Sequence, residues 1–225
     1  MATRRSERNL QPKVARILRN AAKYHAKYYK VQTFGGPSLH FHRRALGLEG
    51  SVNQANRAEL IYAVLSSWGM HRMGKGGSKM QPFAVFRKSL DALRPDITAA
   101  RRLRPGKVGP KGWARLKHIF RSVKVMASGT TLVGNSKVMA HVLPNIVAPI
   151  DRQYTLKFLF GSTYLQNDIR KEWSLMRKIL EDFFFSVVCD CGFVAQATKW
   201  QSSGRYSWDT SLLKIADNLV IGAMK

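Results

Sequence analysis

Acid is what this chain lacks. Its 225 residues carry 13 Asp and Glu against 38 Lys and Arg, a formal net charge of +25. The shortage is regional too: between Asp96 and Asp151 no acidic residue occurs, while ten Lys or Arg lie there, from Arg101 to Lys137. A surface this cationic repels itself unless a polyanion neutralises it, and counterion release from a phosphate backbone supplies that affinity. Membrane-binding helices gather cations opposite one broad apolar face, whereas here the charge pervades the chain. The partner expected is therefore a nucleic acid, and not a membrane.

Cysteine is scarce as well. Cys189 and Cys191 are the two in the chain, and their C-x-C spacing suits neither a disulfide framework nor a four-ligand zinc site. No metal or other cofactor is expected. No apolar run is long enough for a membrane span, and the charged start MATRRSERNL has no apolar stretch behind it, which argues against a secretory signal. A monomer in the cytoplasm, beside a bacterial nucleoid, is the expectation. What is plentiful is apolar: 45% of residues are hydrophobic and 10% aromatic, enough for a packed core.

Apolar spacing points to helices almost throughout. Residues 1–30 read as a basic N-terminal arm running into a helix with Val14, Ile17, Leu18, Ala21 and Ala22 on one face. Further helices are expected from Asn56 to Trp68, ending at Gly69 as a C-terminal cap, from Pro82 to Leu93, and from Trp113 to Val125. Asp151 opens a helix running to Phe160, Asp168 a long core helix to Val188, and a short one lies near Leu212 to Leu219. The fold class expected is mostly α: a helical bundle of two lobes with a helix-hairpin-helix-like element and a cleft between them. Residues 31–225 form a single helical domain, in which 55–160 make the hairpin lobe and 1–54 with 161–225 the second.

One constellation could carry chemistry. Leu132 to Ala140 (LVGNSKVMA) reads as a turn of small residues opening a helix, whose outward amides at Gly134, Asn135 and Ser136, with Lys137, would hold a nucleic-acid phosphate. Downstream, Asp151 is an isolated carboxylate after the apolar run Ile146 to Ile150, followed by Arg152. Arg72, Lys75 and Lys79, in a Gly-rich loop from Met73, and Lys107 and Lys111, in the Pro/Gly-punctuated stretch RRLRPGKVGPKG, are further candidates to grip DNA.

This arrangement resembles the helix-hairpin-helix DNA glycosylases of the endonuclease III superfamily, which are all-helical, carry a hairpin of the form L-P-G-V-G-x-K-T-A and place a catalytic Asp at a helix start downstream. Leu132, Gly134 and Ala140 fit the hairpin, and Asp151 behind Pro149-Ile150 resembles the catalytic position. The resemblance implies double-stranded DNA as the partner and cleavage of an N-glycosidic bond on a flipped nucleotide, with Asp151 stabilising the cationic sugar and orienting water. Tyr62, Trp68, His71 and Tyr154 are the expected lining of the base pocket. The target implied is a damaged or modified base, a hypermodified viral base included, and phage defence is a fitting context. Ser136 replaces the second hairpin glycine, the hairpin-to-Asp spacing is shorter, and the iron-sulfur cysteines are missing. The position of the Schiff-base lysine falls on Val138, with Lys137 one place earlier, which implies a monofunctional enzyme that leaves an abasic site.

Blander readings stand beside these. Asp151 can be an N-cap with Ile150 as its hydrophobic staple. In that case the chain is a non-catalytic DNA- or RNA-binding protein using its basic patches. His40 and His42 would point the same way in a strand, as a metal pair does, but lack a carboxylate partner. His141 reads as a satisfied core residue. Asp217 reads as a buried or capping contact, a second catalytic carboxylate being the minor alternative.

Overall fold

The computed structural model describes residues 9–32, 35–48, 54–71, 73–74 and 77–225. Among the described residues twelve helices make up about two-thirds of the chain, a mostly-α bundle as the apolar spacing requires. The N-terminal arm is two helices, α1 (Gln11–Arg19) and α2 (Ala21–Val31), joined at Asn20; residues 1–8 lie outside the described residues. Next come α3 (Pro37–Ala45), α4 (Gln54–Ser67), α5 (Phe83–Ala92), α6 (Arg94–Ala100), α7 (Pro110–Ser122) and α8 (Leu132–Val142). Helix α9, 152–160, starts with a π-helical turn over Arg152–Leu156. Helix α10, 169–188, is one long core helix widened by a π segment at Ile179–Phe184. Helices α11 (Cys191–Ser202) and α12 (Leu212–Met224) complete the chain. Met73–Gly74 pairs antiparallel with Gly77–Ser78.

Helix ends follow the expected chemistry. Proline occupies a first-turn position in α1, α3, α6 and α7, where its missing N–H costs nothing. Asp168, Asp190 and Ser211 accept backbone N–H groups as N-caps of α10, α11 and α12. Gly69 takes φ +76° after α4, the left-handed turn that a helix terminus of this kind needs.

His40 and His42 lie on helix α3, not on a strand, so a two-residue spacing turns them apart. His40 is exposed and His42 buried, and no group of metal-ligand spacing occurs among the described residues. Helix α12 is longer than its apolar spacing suggested, and it packs lengthwise on α2. The approach is close enough that a Cβ on Gly222 would collide with the carbonyl of Tyr24, so only glycine fits there. Buried side chains from Leu10 to Val220 form one connected core. Among the described residues no helix is long and apolar enough to cross a membrane.

Candidate active site

Asp151 is both cap and cavity wall. Its backbone is extended, at φ −117° and ψ 146°, and its Oδ1 accepts the N–H groups of Gln153 at 2.8 Å and Tyr154 at 3.3 Å. The backbone N–H of Asp151 in turn donates to Thr155 Oγ1 at 3.1 Å. Because capping uses Oδ1, Oδ2 is left to face Lys137, whose Nζ lies 3.5 Å away. The π-helical turn that follows, closed by the Leu156 N–H on the Asp151 carbonyl at 2.9 Å, is a rare geometry that is frequent at functional sites.

Both residues line a cavity of about 150 Å³. By the measure in which one water needs roughly 10–15 Å³, that is space for about ten non-hydrogen atoms, the size of a nucleobase. One wall is α2, with Tyr28, Val31 and Gln32 at its C-terminal end; the other is α12 and the turn before it, with Trp208, Lys214, Asp217, Ile221 and Lys225. Trp68, Pro149 and Tyr154 close the rest. Its lining draws on residues 55–160, with Trp68, Lys137, Pro149, Asp151 and Tyr154, and on the parts of the chain before and after them.

A second lysine–aspartate pair lies in the same cavity. Lys214 Nζ is 2.6 Å from Asp217 Oδ2, one turn along α12, and both side chains are buried. Burial pushes the Asp217 carboxyl above the usual carboxylate range and the Asp151 charge adds to that push, while the Lys214 ammonium pulls it down. Burial likewise raises the Tyr28 hydroxyl, helped by Asp217 and Asp209, so it stays neutral.

Behind Lys137 runs a buried chain of neutral groups. His141 Nδ1 is 2.7 Å from the Lys137 carbonyl, which can only accept, so that nitrogen carries the hydrogen. His141 Nε2 then accepts from His42 Nδ1 at 3.0 Å, and His42 Nε2 accepts from the Thr210 hydroxyl at 3.1 Å. Burial and the neighbouring cations suit this neutral assignment. His42 is held well below the ordinary imidazole range, and His141 is lowered to about 4 against the raising effect of its bond to Lys137.

Several sequence expectations are corrected. Leu132 to Ala140 is not a turn: it lies inside α8, and Gly134, Asn135 and Ser136 are buried there. A Cβ on Gly134 would meet the Met126 side chain, Asn135 Nδ2 donates to the Phe120 carbonyl at 2.7 Å, and Ser136 Oγ accepts the Ile150 N–H at 3.1 Å. The helix start is also occupied. Buried Glu172 accepts the Thr131 N–H at 2.7 Å, the Thr131 hydroxyl at 2.9 Å and the Leu132 N–H. No phosphate can reach amides already held by that carboxylate. Val138 faces the core, fully buried, so the amine beside Asp151 is Lys137, which lines the cavity instead of the outer surface.

Of the four expected pocket residues, Trp68 and Tyr154 line the cavity. Tyr62 does not: its hydroxyl donates to the Gln81 carbonyl at 2.8 Å and its ring packs on Phe83 and Phe86. His71 is exposed, tied to the Ser66 carbonyl at 2.7 Å. Lys79, Lys107, Lys111 and Arg152 are exposed, with Arg152 Nε donating to the Thr163 carbonyl at 2.8 Å. Arg72 and Lys75 lie outside the described residues. Sequence reading missed Tyr28, Gln32, Trp208 and Lys214 altogether. The available signal was Lys214 and Asp217 one turn apart in the mostly apolar α12, a buried pair that needs a reason.

Compared with models of protein families, with curated proteins and with solved structures, the chain finds no match.

Proposed function

We propose that the protein is a DNA N-glycosylase that draws a damaged or modified base into this cavity, hydrolyses its bond to the sugar and leaves an abasic site. The observation that carries the reading is Asp151: a carboxylate held in place by two backbone N–H groups, with its second oxygen on the wall of a nucleobase-sized, aromatic-lined cavity in a strongly basic protein. Aromatic walls suit a base removed from its stack. As the C1′–N bond breaks, its electron pair leaves with the base and Asp151 stabilises the developing sugar cation; water then adds at C1′, and the proton it sheds passes through Asp151 to the departing base. The exposed cations Lys79, Lys107, Lys111 and Arg152 supply phosphate contacts that position the duplex without reading its sequence.

A second reading, glycosylase with strand cleavage, is favoured by one distance. Lys137 Nζ is 3.5 Å from Asp151 Oδ2, so an amine does accompany the carboxylate. Incubating the protein with cellular and phage DNAs that bear modified bases, then identifying released bases by mass, tests both readings. A free base with alkali-labile sites supports hydrolysis; borohydride trapping of protein on DNA, lost in Lys137→Met, supports the lyase. Firm binding with intact DNA throughout would return the chain to the class of non-catalytic DNA-binding proteins.

A further inference from the structure

The four aromatic rings that line the cavity are not open faces. Lys137 Nζ lies 5.3 Å from the centre of the Trp68 ring, and Lys225 Nζ lies 5.5 Å from that of Tyr154. Lys214 Nζ serves two rings at once, 5.9 Å from the Tyr28 centre and 5.7 Å from that of Trp208. Every ring of the lining therefore already carries an ammonium at cation–π distance. Each of the two carboxylates is already shared with a lysine: Asp151 faces Lys137 at 3.5 Å and Asp217 faces Lys214 at 2.6 Å.

These facts decide what kind of ring the cavity accepts. A planar cation, such as a ring-alkylated purine, gains from an uncovered aromatic face or an unshared carboxylate. Here it would meet lysine ammoniums at each of those places, at short range in a partly desolvated site where like charges cost most. A ring rich in carbonyl oxygens meets the same ammoniums as hydrogen-bond donors, since each has three N–H groups and its carboxylate needs one or two.

We propose that the cavity selects carbonyl-bearing planar bases, neutral or anionic, such as oxo-pyrimidines and oxidised purines, and rejects cationic alkylated ones. This rests on reading the cavity as the base site, and the test separates the two ideas because it needs no catalysis. Calorimetric or NMR titration near neutral pH with three free nucleosides compares an anionic lactam (orotidine), a neutral one (uridine) and a cation (1-methyladenosine). Orotidine should bind about tenfold tighter than 1-methyladenosine, the ratio that ~1.4 kcal/mol produces, with uridine between them. Lys225 is exposed, so Lys225→Glu should fold normally and narrow or invert that order.

A second variant guards the buried pair. Lys214→Met combined with Asp217→Leu replaces both charges by apolar groups, and should weaken orotidine several-fold while leaving 1-methyladenosine unchanged or improved. Equal or tighter binding of the cation to the unaltered protein would overturn the selection, even if base release from DNA is observed. So would an order that neither variant changes. Failure of base release, with the nucleoside order intact, would instead count against the glycosylase reading alone.

Discussion

Two lysine–aspartate pairs share one cavity and differ in almost everything else. Lys137 and Asp151 come from separate elements, stand 3.5 Å apart and leave the carboxylate 31% exposed, while Lys214 and Asp217 sit one turn apart on α12 at 2.6 Å, with the carboxylate 6% exposed. The first pair meets water and whatever enters the cavity over a broad face; the second borders the same cavity but is largely covered, with Tyr28 and Trp208 over the ammonium. Charge in a partly open site can act on a substrate at little cost to the fold. Charge in a closed one must first satisfy itself.

The sharpest way to break the comparison is to neutralise the open pair. Asp151→Asn keeps the cap through its remaining oxygen, so the protein should fold and bind DNA, yet base release should fall about 10³-fold or more in single-turnover assays. The closed pair should fail differently. Lys214→Met leaves Asp217 buried without its counter-charge, costing about 3–5 kcal/mol in urea unfolding near neutral pH. Without Lys214 the folded carboxyl titrates far above its unfolded value, so the deficit grows as pH rises above the ordinary carboxylate range and shrinks in acid. Lys137→Met should cost under ~1 kcal/mol in the same experiment, because Asp151 stays hydrated and capped.

Acid should reach the site from behind. His42 and His141 are both held below the ordinary imidazole value in the folded protein, so the unfolded chain takes up their protons first. Stability is then fully present above about 6.5 and lost as pH falls toward about 4, by on the order of 3 kcal/mol for His141. Thermal melts across that range should show the loss, and His141→Gln should flatten it. At the far end of α8, Glu172→Gln should cost about 1–3 kcal/mol by weakening the bonds to Thr131 and Leu132. Base release per folded molecule should not change.

How much of this was legible in the sequence divides along physical lines. Helices announce themselves by periodic apolar residues and capping side chains, so Asp151, Asp168 and the long core helix to Val188 could be read directly. Asp151 stood out because it is an acid in a region that has no other. The hairpin reading of Leu132 to Ala140 failed because Gly134, Asn135 and Ser136 are small for packing: they let α8 settle against Met126, Phe120 and Ile150, and turn chemistry in the sequence cannot be told from close packing. Glu172 caps α8 from some forty residues away. Tyr28, Gln32, Trp208 and Lys214 reach the cavity only because α12 returns to α2, a long-range contact with no local signature.

The central claim, that Asp151 turns a basic helical protein into one that cuts base from sugar, is tested most directly by one single-turnover comparison. Unaltered protein and Asp151→Asn are mixed in excess with modified DNA, and the free base is quantified. The account predicts release by the unaltered protein alone, with equal DNA binding by both. Release by both at the same rate, or by neither despite firm binding, would contradict it.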